Sequence, residues 1–427
     1  MEQIKYPSPS QWETLLARPT ASYESLEPLV REVFNAVAQN GDQAVSDYTK
    51  KFDGVSLESF AVSEAEITAA SVEVSVELKR AMARARLNIE TFHRAQQTQK
   101  VYLSTQEGVD CWQEKRPIES VGLYIPGGSA PLFSTIMMLA IPAEIAGCKE
   151  RILCTPPDQN GAVNPAILYA AALCGITKIY RVGGIQAIAA MTLGTASIPK
   201  VYKIFGPGNQ YVTMAKQWAT KYQVAIDLPA GPSELLVAAD ATANPRYVAA
   251  DLLSQAEHGP DSQVVLVTTS ESLLAKVEKA IEEQLKQLPR REIAAKALAN
   301  SKAILMSSDK EAIALINAYA PEHYIIMVAN EQAYVDGVQN AGSVFIGPYT
   351  PESAGDYASG TNHTLPTNGY ARQYSGVNLD SFLKAITFQK ISDQGLQDLG
   401  PEIEVMAAAE GLYAHKNAIS IRLKDLS

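Results

Sequence analysis

The 427-residue chain is poor in histidine and cysteine, and it contains no block of basic residues. Its net charge is −10, from 36 lysines and arginines against 46 aspartates and glutamates. Such a chain lacks the positive surface that attracts nucleic acid or an anionic membrane, so we expect neither as a partner. The four cysteines form no CxxC pair and no dense framework, which favours reduced thiols and a cytoplasmic location.

Long apolar runs are also missing. The most apolar stretch, LFSTIMMLAIPAEIAGC, is interrupted by Pro142 and Glu144 and is too short and too polar to span a bilayer. The start, MEQIKYPSPSQWE, has no basic segment followed by an apolar core, so we expect no secretory signal. Hydrophobic residues make up 47% of the chain, which is typical of a globular protein of two or three domains.

The sequence does contain a regular alternation of short apolar runs and amphipathic segments. Residues 1 to about 105 have helical spacing of their apolar positions. From residue 121, runs such as VGLYIP and RILCTPP alternate with helical segments, and this alternation resumes after residue 233. Apolar strands in such an order predict parallel sheets that are covered on both faces. We therefore predict an α/β fold with two Rossmann-like domains, plus small helical N-terminal and C-terminal extensions; the tail is predicted to end in a short strand.

Two polar side chains stand near the end of a predicted helix. Asn244 and Pro245 are suited to its start, and Gly259 stops it soon after Gln255 and His258. The two side chains are expected to share one face and to point beyond the strand ends, on the usual ligand side of a parallel sheet. Either a metal site or a simple helix C-cap is consistent with this pair.

Other metal donors lie far away in the sequence. A long segment rich in Gly, Ser, Thr and Tyr supplies Asp356 and His363, and the tail supplies His415. Imidazole nitrogens with carboxylate and amide oxygens form a ligand set that suits zinc. Glu410 and His415 are five residues apart, about 140° around a helix, so a straight helix cannot aim both at one site. A break at Gly411, or separate contacts, would resolve this.

The pair Glu322–His323 precedes an apolar strand. Neighbouring residues on an extended backbone face opposite ways, but at the entry to a strand both side chains can reach one cleft. An imidazole beside a carboxylate is suited to acid/base catalysis, and a surface pair without function is the other open interpretation. His93, by contrast, is predicted to lie on the polar face of a surface helix.

Two glycine-rich turns, YIPGGSAP and IFGPGNQY, each follow a predicted strand and precede a helix. Backbone amides in such turns can approach a phosphate. Neither turn has the G-x-G-x-x-G pattern, so each alone is also consistent with an ordinary tight turn between strand and helix.

These residues and motifs resemble those of the histidinol dehydrogenase family. The similarity extends over nearly the whole chain and is most specific in IDLPAGPSELLVAADATANPRYVAADLLSQAEH, residues 226–258. Further similarity is found in VGLYIPGGSAPLFST, IFGPGN, PEH, SAGDYASGTNHTLPT and AEGLYAHKNA, with no departure at a functional position.

The resemblance implies an enzyme that oxidises L-histidinol through L-histidinal to L-histidine, the last steps of histidine biosynthesis, with NAD+ and one Zn2+ per subunit. It implies two catalytic residues, Glu322 and His323. The implied zinc ligands are Gln255, His258, Asp356 and His415. The implied substrate-binding residues are Ser233, Gln255, His258, His323, Asp356, His363, Glu410 and His415. The implied NAD contacts are Tyr124, Gln186 and Asn209.

The resemblance also implies a homodimer whose active site is shared, with His415 supplied by the other subunit. We expect an N-terminal extension (1–19), a first α/β domain with the metal and catalytic residues (20–123 and 234–377), a second, NAD-binding domain (124–233) and a dimer-crossing domain (378–427). From the residues alone, two other functions stay open. One is a zinc hydrolase in which Glu322 activates water, and the other is a non-catalytic module that binds a metal or an amino acid.

Overall fold

The computed structural model describes residues 1–19, 25–127, 131–229 and 231–426. The strands within them are β1 (Glu2–Lys5), β2 (Val101–Gln106), β3 (Val109–Pro117), β4 (Ser120–Tyr124), β5 (Glu150–Cys154), β6 (Lys178–Tyr180), β7 (Lys203–Phe205), β8 (Ala225–Ile226), β9 (Glu234–Ala239), β10 (Gln263–Thr268), β11 (Lys302–Leu305), β12 (His323–Met327), β13 (Ser343–Ile346) and β14 (Leu383–Ile391).

The α-helices of the same ranges are α1 (Trp12–Leu15), α2 (Glu27–Asn40), α3 (Asp42–Asp53), α4 (Glu64–Glu73), α5 (Val76–Arg94), α6 (Phe133–Ala146), α7 (Pro165–Leu173), α8 (Gly184–Leu193), α9 (Gln210–Ala219), α10 (Pro245–Ala256), α11 (Glu271–Leu285), α12 (Arg291–Ala299), α13 (Asp309–Tyr319), α14 (Glu331–Asp336), α15 (Glu352–Tyr357), α16 (Asp393–Ala409) and α17 (Tyr413–Leu426). No helix within these ranges is both long enough and apolar enough to cross a membrane.

One sheet has six parallel strands in the order β1-β11-β10-β9-β12-β13. Its central strands β9, β10 and β12 are buried along their whole length, which explains their continuous apolar sequences. Helices α10 to α12 pack on one face, and α13 and α14 pack on the other. The N-terminal extension, predicted to be helical, contributes β1 to the edge of this sheet.

The other parallel sheet has five strands in the order β6-β5-β4-β7-β8. Helices α4 to α7 cover one face, and α2, α3, α8 and α9 cover the other. Helices α2 to α5 thus pack on this sheet, whereas the predicted domain division groups their residues with the six-stranded one. Amphipathic spacing shows that a helix has a partner but does not identify which sheet it covers.

A third sheet is antiparallel and joins distant parts of the chain. The hairpin of β2 and β3 pairs with β14, so that Leu383 lies opposite Pro117 and Ile391 lies opposite Val109. Beyond it, α16 and α17 pack on each other, with Gly400 against Ile419 and Leu423. The short strand predicted at the end of the tail is therefore wrong, because alternating apolar residues there belong to a helix.

Candidate active site

The candidate site lies between opposite edges of the two parallel sheets. His323 begins β12, while Tyr124 ends β4 and Asn209 follows β7. These residues line one cavity of about 340 Å³, which we call the cleft. The six-stranded sheet contributes the amino ends of its strands, so the prediction that Gln255 and His258 lie on the usual ligand side of their sheet is wrong. Helix α10 runs back along β9, and its end therefore reaches the amino edge.

Glu322 and His323 both reach the cleft from the entry to β12. Their side chains are 7% and 5% exposed, and His323 Nδ1 lies 3.6 Å from Glu322 Oε2. The peptide N–H of Glu234 donates to Glu322 Oε2 at 2.8 Å. His323 Nδ1 donates to the carbonyl of Glu234 at 3.1 Å, because a carbonyl only accepts. This bond selects the tautomer that leaves Nε2 as an acceptor, and Nε2 has no hydrogen-bond partner in the described structure.

Two further carboxylates surround the imidazole of His323. Glu352 Oε1 lies 3.6 Å from Nδ1, and Asp356 Oδ1 lies 3.5 Å from Nε2. Ligand atoms of His323, Glu352 and Asp356 all lie within 4.8 Å of one another, a spacing that can hold a metal ion. Glu352 is a residue of this cluster that the sequence did not predict. Its spacing of four residues from Asp356, one helical turn, was a usable signal.

Burial controls the protonation of these groups. It raises the pKa of Glu322 to about 8 and that of Glu352 to about 8. Burial by itself lowers the pKa of His323, but the charges of Glu322, Glu352 and Asp356 outweigh it and raise that pKa well above its usual range. For Asp356, interaction with His323 overcomes the effect of burial and lowers the pKa. The cluster has more carboxylates than cations, so it is suited to an added positive charge.

Gln255 and His258 lie beside this cluster at the end of α10. Asn244 caps the start of the helix, as predicted, through a bond from the N–H of Arg246. Gln255 is fully buried, and neither amide atom of its side chain has a hydrogen-bond partner in the described structure. Buried polar groups rarely lack a hydrogen-bond partner, and a bound ligand would supply one for the Gln255 amide. His258 opens into the cleft, where desolvation lowers its pKa and favours the neutral, metal-binding imidazole.

Ser233 and His363 also line the cleft. Both ring nitrogens of His363 are occupied, since Nδ1 donates to the carbonyl of Asp356 at 2.8 Å and Nε2 accepts from Thr135 Oγ1 at 3.0 Å. His363 therefore holds the backbone of Asp356 in place. A direct contact with a ligand through Nε2 would require the Thr135 hydroxyl to turn away.

Glu410 and His415 lie outside the cleft of this chain. Helix α16 ends at Ala409, Gly411 adopts a left-handed conformation with φ of 73°, and α17 begins at Tyr413. Glu410 thus caps the end of α16, whereas His415 belongs to α17, as a break at Gly411 would require. Both are exposed. Their approach to a site in a second subunit stays a prediction.

The prediction for His93 is wrong, because its side chain is completely buried. Its Nδ1 donates to the carbonyl of Ile89 at 2.8 Å, and Nε2 lies 3.4 Å from the amide nitrogen of Asn362. Asn362 precedes His363, so the end of α5 supports the segment that carries Asp356. Helical spacing could not reveal this contact with a residue nearly 270 positions away.

A second cavity of about 510 Å³ adjoins the cleft, and two of the three residues predicted to contact NAD, Tyr124 and Asn209, line it. The third, Gln186, is not among its described lining residues. Tyr124 and Asn209 line both cavities. The hydroxyl of Tyr124 accepts from the N–H of Gly184 at 3.1 Å, and Asn209 caps α9. Gln186 is fully buried and donates to Asp53 Oδ2 at 3.1 Å, while its Oε1 has no partner in the described structure. Asp53, which lines this cavity from the end of α3, is another residue that the sequence did not predict.

The two glycine-rich turns form the boundary between the cavities. Gly206 has φ of 124°, and an added Cβ would lie 2.0 Å from the carbonyl oxygen of Tyr124. Only glycine allows this close approach of the two turns. In the first turn, Gly127 lines both cavities, whereas residues 128–130 lie outside the described residues.

Comparisons with known proteins identify this fold. The chain is similar to a crystal structure of betaine aldehyde dehydrogenase from Staphylococcus aureus, with a TM-score of 0.51, 11% identity and coverage of 87% of this chain and 83% of that one. That likeness shows the fold alone. The two facing parallel sheets therefore define an α/β protein with an aldehyde-dehydrogenase-like fold.

Closer similarity defines the family. The profile of histidinol dehydrogenases matches residues 16–423. A histidinol dehydrogenase from Bacteroides thetaiotaomicron is 60% identical over the full length of both chains, and the chloroplastic enzyme of Arabidopsis thaliana is 52% identical over 98% of this chain and 90% of its own. The crystal structure of histidinol dehydrogenase from Elizabethkingia anophelis has a TM-score of 0.97 and 58% identity, covering 100% of this chain and 98% of that one. The chain belongs to the histidinol dehydrogenase family, a family of oxidoreductases.

Proposed function

We propose that the chain oxidises L-histidinol to L-histidinal and then to L-histidine, with NAD+ as the oxidant in both steps and one Zn2+ per subunit. Family membership supports the substrate. The observation that carries the two-step chemistry is the pair Glu322–His323, buried side by side at the edge of a cleft that adjoins a second cavity.

The residues around His323 fit a zinc ion. Gln255 offers a buried amide oxygen without a partner, His258 a neutral imidazole, and Asp356 a carboxylate in a cluster with surplus negative charge. These three residues of this chain, with His415 of a second subunit, would hold the ion. When bound, zinc supplies a fixed positive charge that orients the imidazole and amino nitrogens of the substrate.

His323 is suited to be the general base of both oxidations. Its Nδ1–H is held by the Glu234 carbonyl, so Nε2 is left without a hydrogen-bond partner in the described structure and can accept a proton. In the first step Nε2 takes the hydroxyl proton of histidinol while the carbon loses a hydride to NAD+. The carboxylates that raise its pKa would be partly neutralised by a bound cation, which would leave Nε2 free to act as a base.

Glu322 is suited to activate water for the second oxidation. Its carboxylate takes a proton from water as the water oxygen attacks the aldehyde carbon, and the protonated His323 returns its proton to the carbonyl oxygen, giving the hydrated aldehyde. His323 Nε2 then takes a proton from that hydrate as the second hydride leaves. Each histidinol thus consumes one water and yields two NADH. The environment of Glu322, which keeps a carboxyl protonated until about pH 8, suits a group that exchanges protons near neutrality.

The second cavity supports NAD+ as the oxidant. The N-termini of α8 and α9 border it, and such helix ends stabilise the negative charge of a pyrophosphate. None of its described lining residues is a lysine or arginine, and Asp53 is the acidic group. A carboxylate there can accept from the ribose hydroxyls of NAD+ and would repel the 2′-phosphate of NADP+. This cavity also favours a dehydrogenase over a hydrolase or a non-catalytic binding module, neither of which needs it.

A homodimer with shared sites would bring His415 and Glu410 to the substrate. The exposed C-terminal region carries apolar side chains of the kind that dimers bury, including Val405, Met406 and Tyr413. These side chains support a subunit interface on this part of the chain.

The test is the absorbance of NADH at 340 nm after adding histidinol and NAD+ to zinc-loaded protein. We expect two NADH per histidinol consumed, with histidine as the product. Protein with a full complement of zinc that forms no NADH would reject the proposal.

A further inference from the structure

A single residue supports both proposed catalytic groups through its backbone. Glu234 begins β9; its N–H donates to Glu322 Oε2 at 2.8 Å, and its carbonyl accepts from His323 Nδ1 at 3.1 Å. The first bond orients the carboxylate, and the second sets the tautomer of the imidazole. Any rotation of the backbone at Glu234 would displace both catalytic groups together.

The side chain of Glu234 is in turn fixed by an arginine from the N-terminal extension. Arg18 Nε donates to Glu234 Oε1 at 2.7 Å, and Arg18 Nη2 donates to Oε2 at 2.8 Å. The two side chains are 12% and 2% exposed. Parallel hydrogen bonds between a guanidinium and a carboxylate restrict both groups in angle as well as in distance.

Arg18 is itself held on two sides. Its Nη2 also donates to the carbonyl of Tyr319 at 2.7 Å, and its guanidinium lies 4.0 Å from the centre of the Tyr319 ring. Tyr319 ends α13, the helix that leads into Glu322. The N–H of Asn368 donates to Glu234 Oε1 as well. Arg18 thus connects the start of β9 to the helix before Glu322, although neither Arg18 nor Glu234 is among the described residues that line the cleft.

We infer that Arg18 is a positioning residue for both oxidation steps, acting through the side chain of Glu234 on the backbone that holds Glu322 and His323. This inference rests on the proposed function, which assigns roles to those two residues. A displacement of about 1 Å in a reacting group can cost about 100-fold in rate, so a loosened backbone at Glu234 would lower kcat. Substrate binding need not change, since Arg18 does not face the cleft.

The first test is Arg18→Lys, which keeps the positive charge but cannot form two parallel bonds to Glu234. We expect kcat to fall about 10- to 100-fold, with little change in KM for histidinol or NAD+ and with full zinc content. Both half-reactions, measured separately with histidinol and with histidinal, should slow together. A folded Arg18→Lys protein with unchanged kcat, or with only one half-reaction slowed, would overturn the inference.

A matched control comes from Arg181, which is 13% exposed and donates to both carboxylate oxygens of Glu66 and to the carbonyl of Ala61, away from the cleft. Arg181→Lys should leave kcat unchanged. An equal loss of kcat in this variant would assign the effect of Arg18→Lys to general loosening of the fold and would overturn the inference.

The second test is Glu234→Gln, alone and combined with Arg18→Lys. If both residues act through the same backbone, the double variant should lose no more of kcat than the more affected single variant. Losses of kcat that multiply in the double variant would overturn the inference. If Arg18→Lys does not fold, the kcat of Glu234→Gln alone decides the inference. If the unmodified chain forms two NADH per histidinol and the variants match it, only this inference fails. If the unmodified chain forms none, the proposed function fails with it.

Discussion

Glu322→Gln separates the two oxidations of the proposed reaction. The glutamine oxygen can still accept from the N–H of Glu234 at 2.8 Å, so the buried side chain should keep its place while losing the ability to take a proton. Loss of a positioned general base costs about 10²- to 10⁴-fold, so oxidation of histidinal should slow by that factor. The step from histidinol to histidinal needs no activated water and should change little. In a rapid-mixing experiment at 340 nm, the variant should form the first NADH quickly and the second slowly.

The pH dependence gives the same test a second readout. Burial raises the pKa of Glu322 to about 8, so the group is protonated and unable to act as a base well below that value. Oxidation of histidinal should therefore rise with pH and level off at or below about pH 8, because a bound cation would favour the carboxylate. Glu322→Gln should lose this rise. Equal slowing of both half-reactions, or an unchanged pH profile, would refute the assignment of Glu322 to water activation.

Four other experiments address separate parts of the chain. His323→Ala should slow both NADH-forming steps by about 10²- to 10⁴-fold while bound zinc, measured by metal analysis, is unchanged; retained turnover would contradict its role as base. Mixed dimers of a His415→Ala and a Gln255→Ala subunit should recover about half of the activity of the unmodified dimer, since one of two shared sites is then intact; mixed dimers without activity would exclude sharing. Asp53→Ser should raise kcat/KM for NADP+ relative to NAD+ by about tenfold, since a repulsion of ~1.4 kcal/mol between nearby charges is removed; an unchanged ratio would contradict its role in selecting the cofactor. Burial without a charged partner raises the pKa of Asp251 to about 7, so the folded chain binds a proton that the unfolded chain releases, and stability falls as pH rises to 7. Asp251→Asn should remove this loss. The free energy of unfolding of the variant, measured in urea, should therefore rise by ~3 kcal/mol relative to that of the unmodified chain between pH 5 and pH 8. Parallel plots of this free energy against pH for the two proteins would show that the pKa is not raised.

The alternation of apolar runs was sufficient to predict the two parallel sheets. Runs such as VGLYIP and RILCTPP became β4 and β5, because strands buried on both faces need continuous apolar sequence. The strands that sequence analysis missed are β1, β2, β3, β8 and β14. Most residues of β2 and β14 are exposed, so these strands lack the apolar run that marks the central ones. The edge strand β1 likewise has no fully buried residue.

The candidate site was only partly accessible to sequence reasoning. Family resemblance identified Glu322, His323 and Asp356, and the structure brings all three to the cleft. Spacing along the chain could not identify Arg18, which meets Glu234 across more than two hundred residues. Nor could it show which edge of the six-stranded sheet faces its neighbour, since that depends on how the two sheets are joined. Contacts of this kind are set by tertiary packing and leave no local pattern.

The facing edges also explain why a cation and an anion can share one active site. In a parallel α/β sheet, helices run antiparallel to the strands, so the carboxyl edge presents helix N-termini and the amino edge presents helix C-termini. The five-stranded sheet meets the cleft with the starts of α8 and α9, whose partial positive charge suits a pyrophosphate. The six-stranded sheet meets it with the ends of α10 and α13, whose partial negative charge suits a metal ion. Had both sheets presented their carboxyl edges, the helix ends would have disfavoured a divalent cation, and the carboxylates around His323 would have had to overcome that repulsion alone. The placement of Gln255 and His258 at an amino edge is thus the arrangement that the proposed zinc-dependent, NAD-linked oxidation favours on electrostatic grounds.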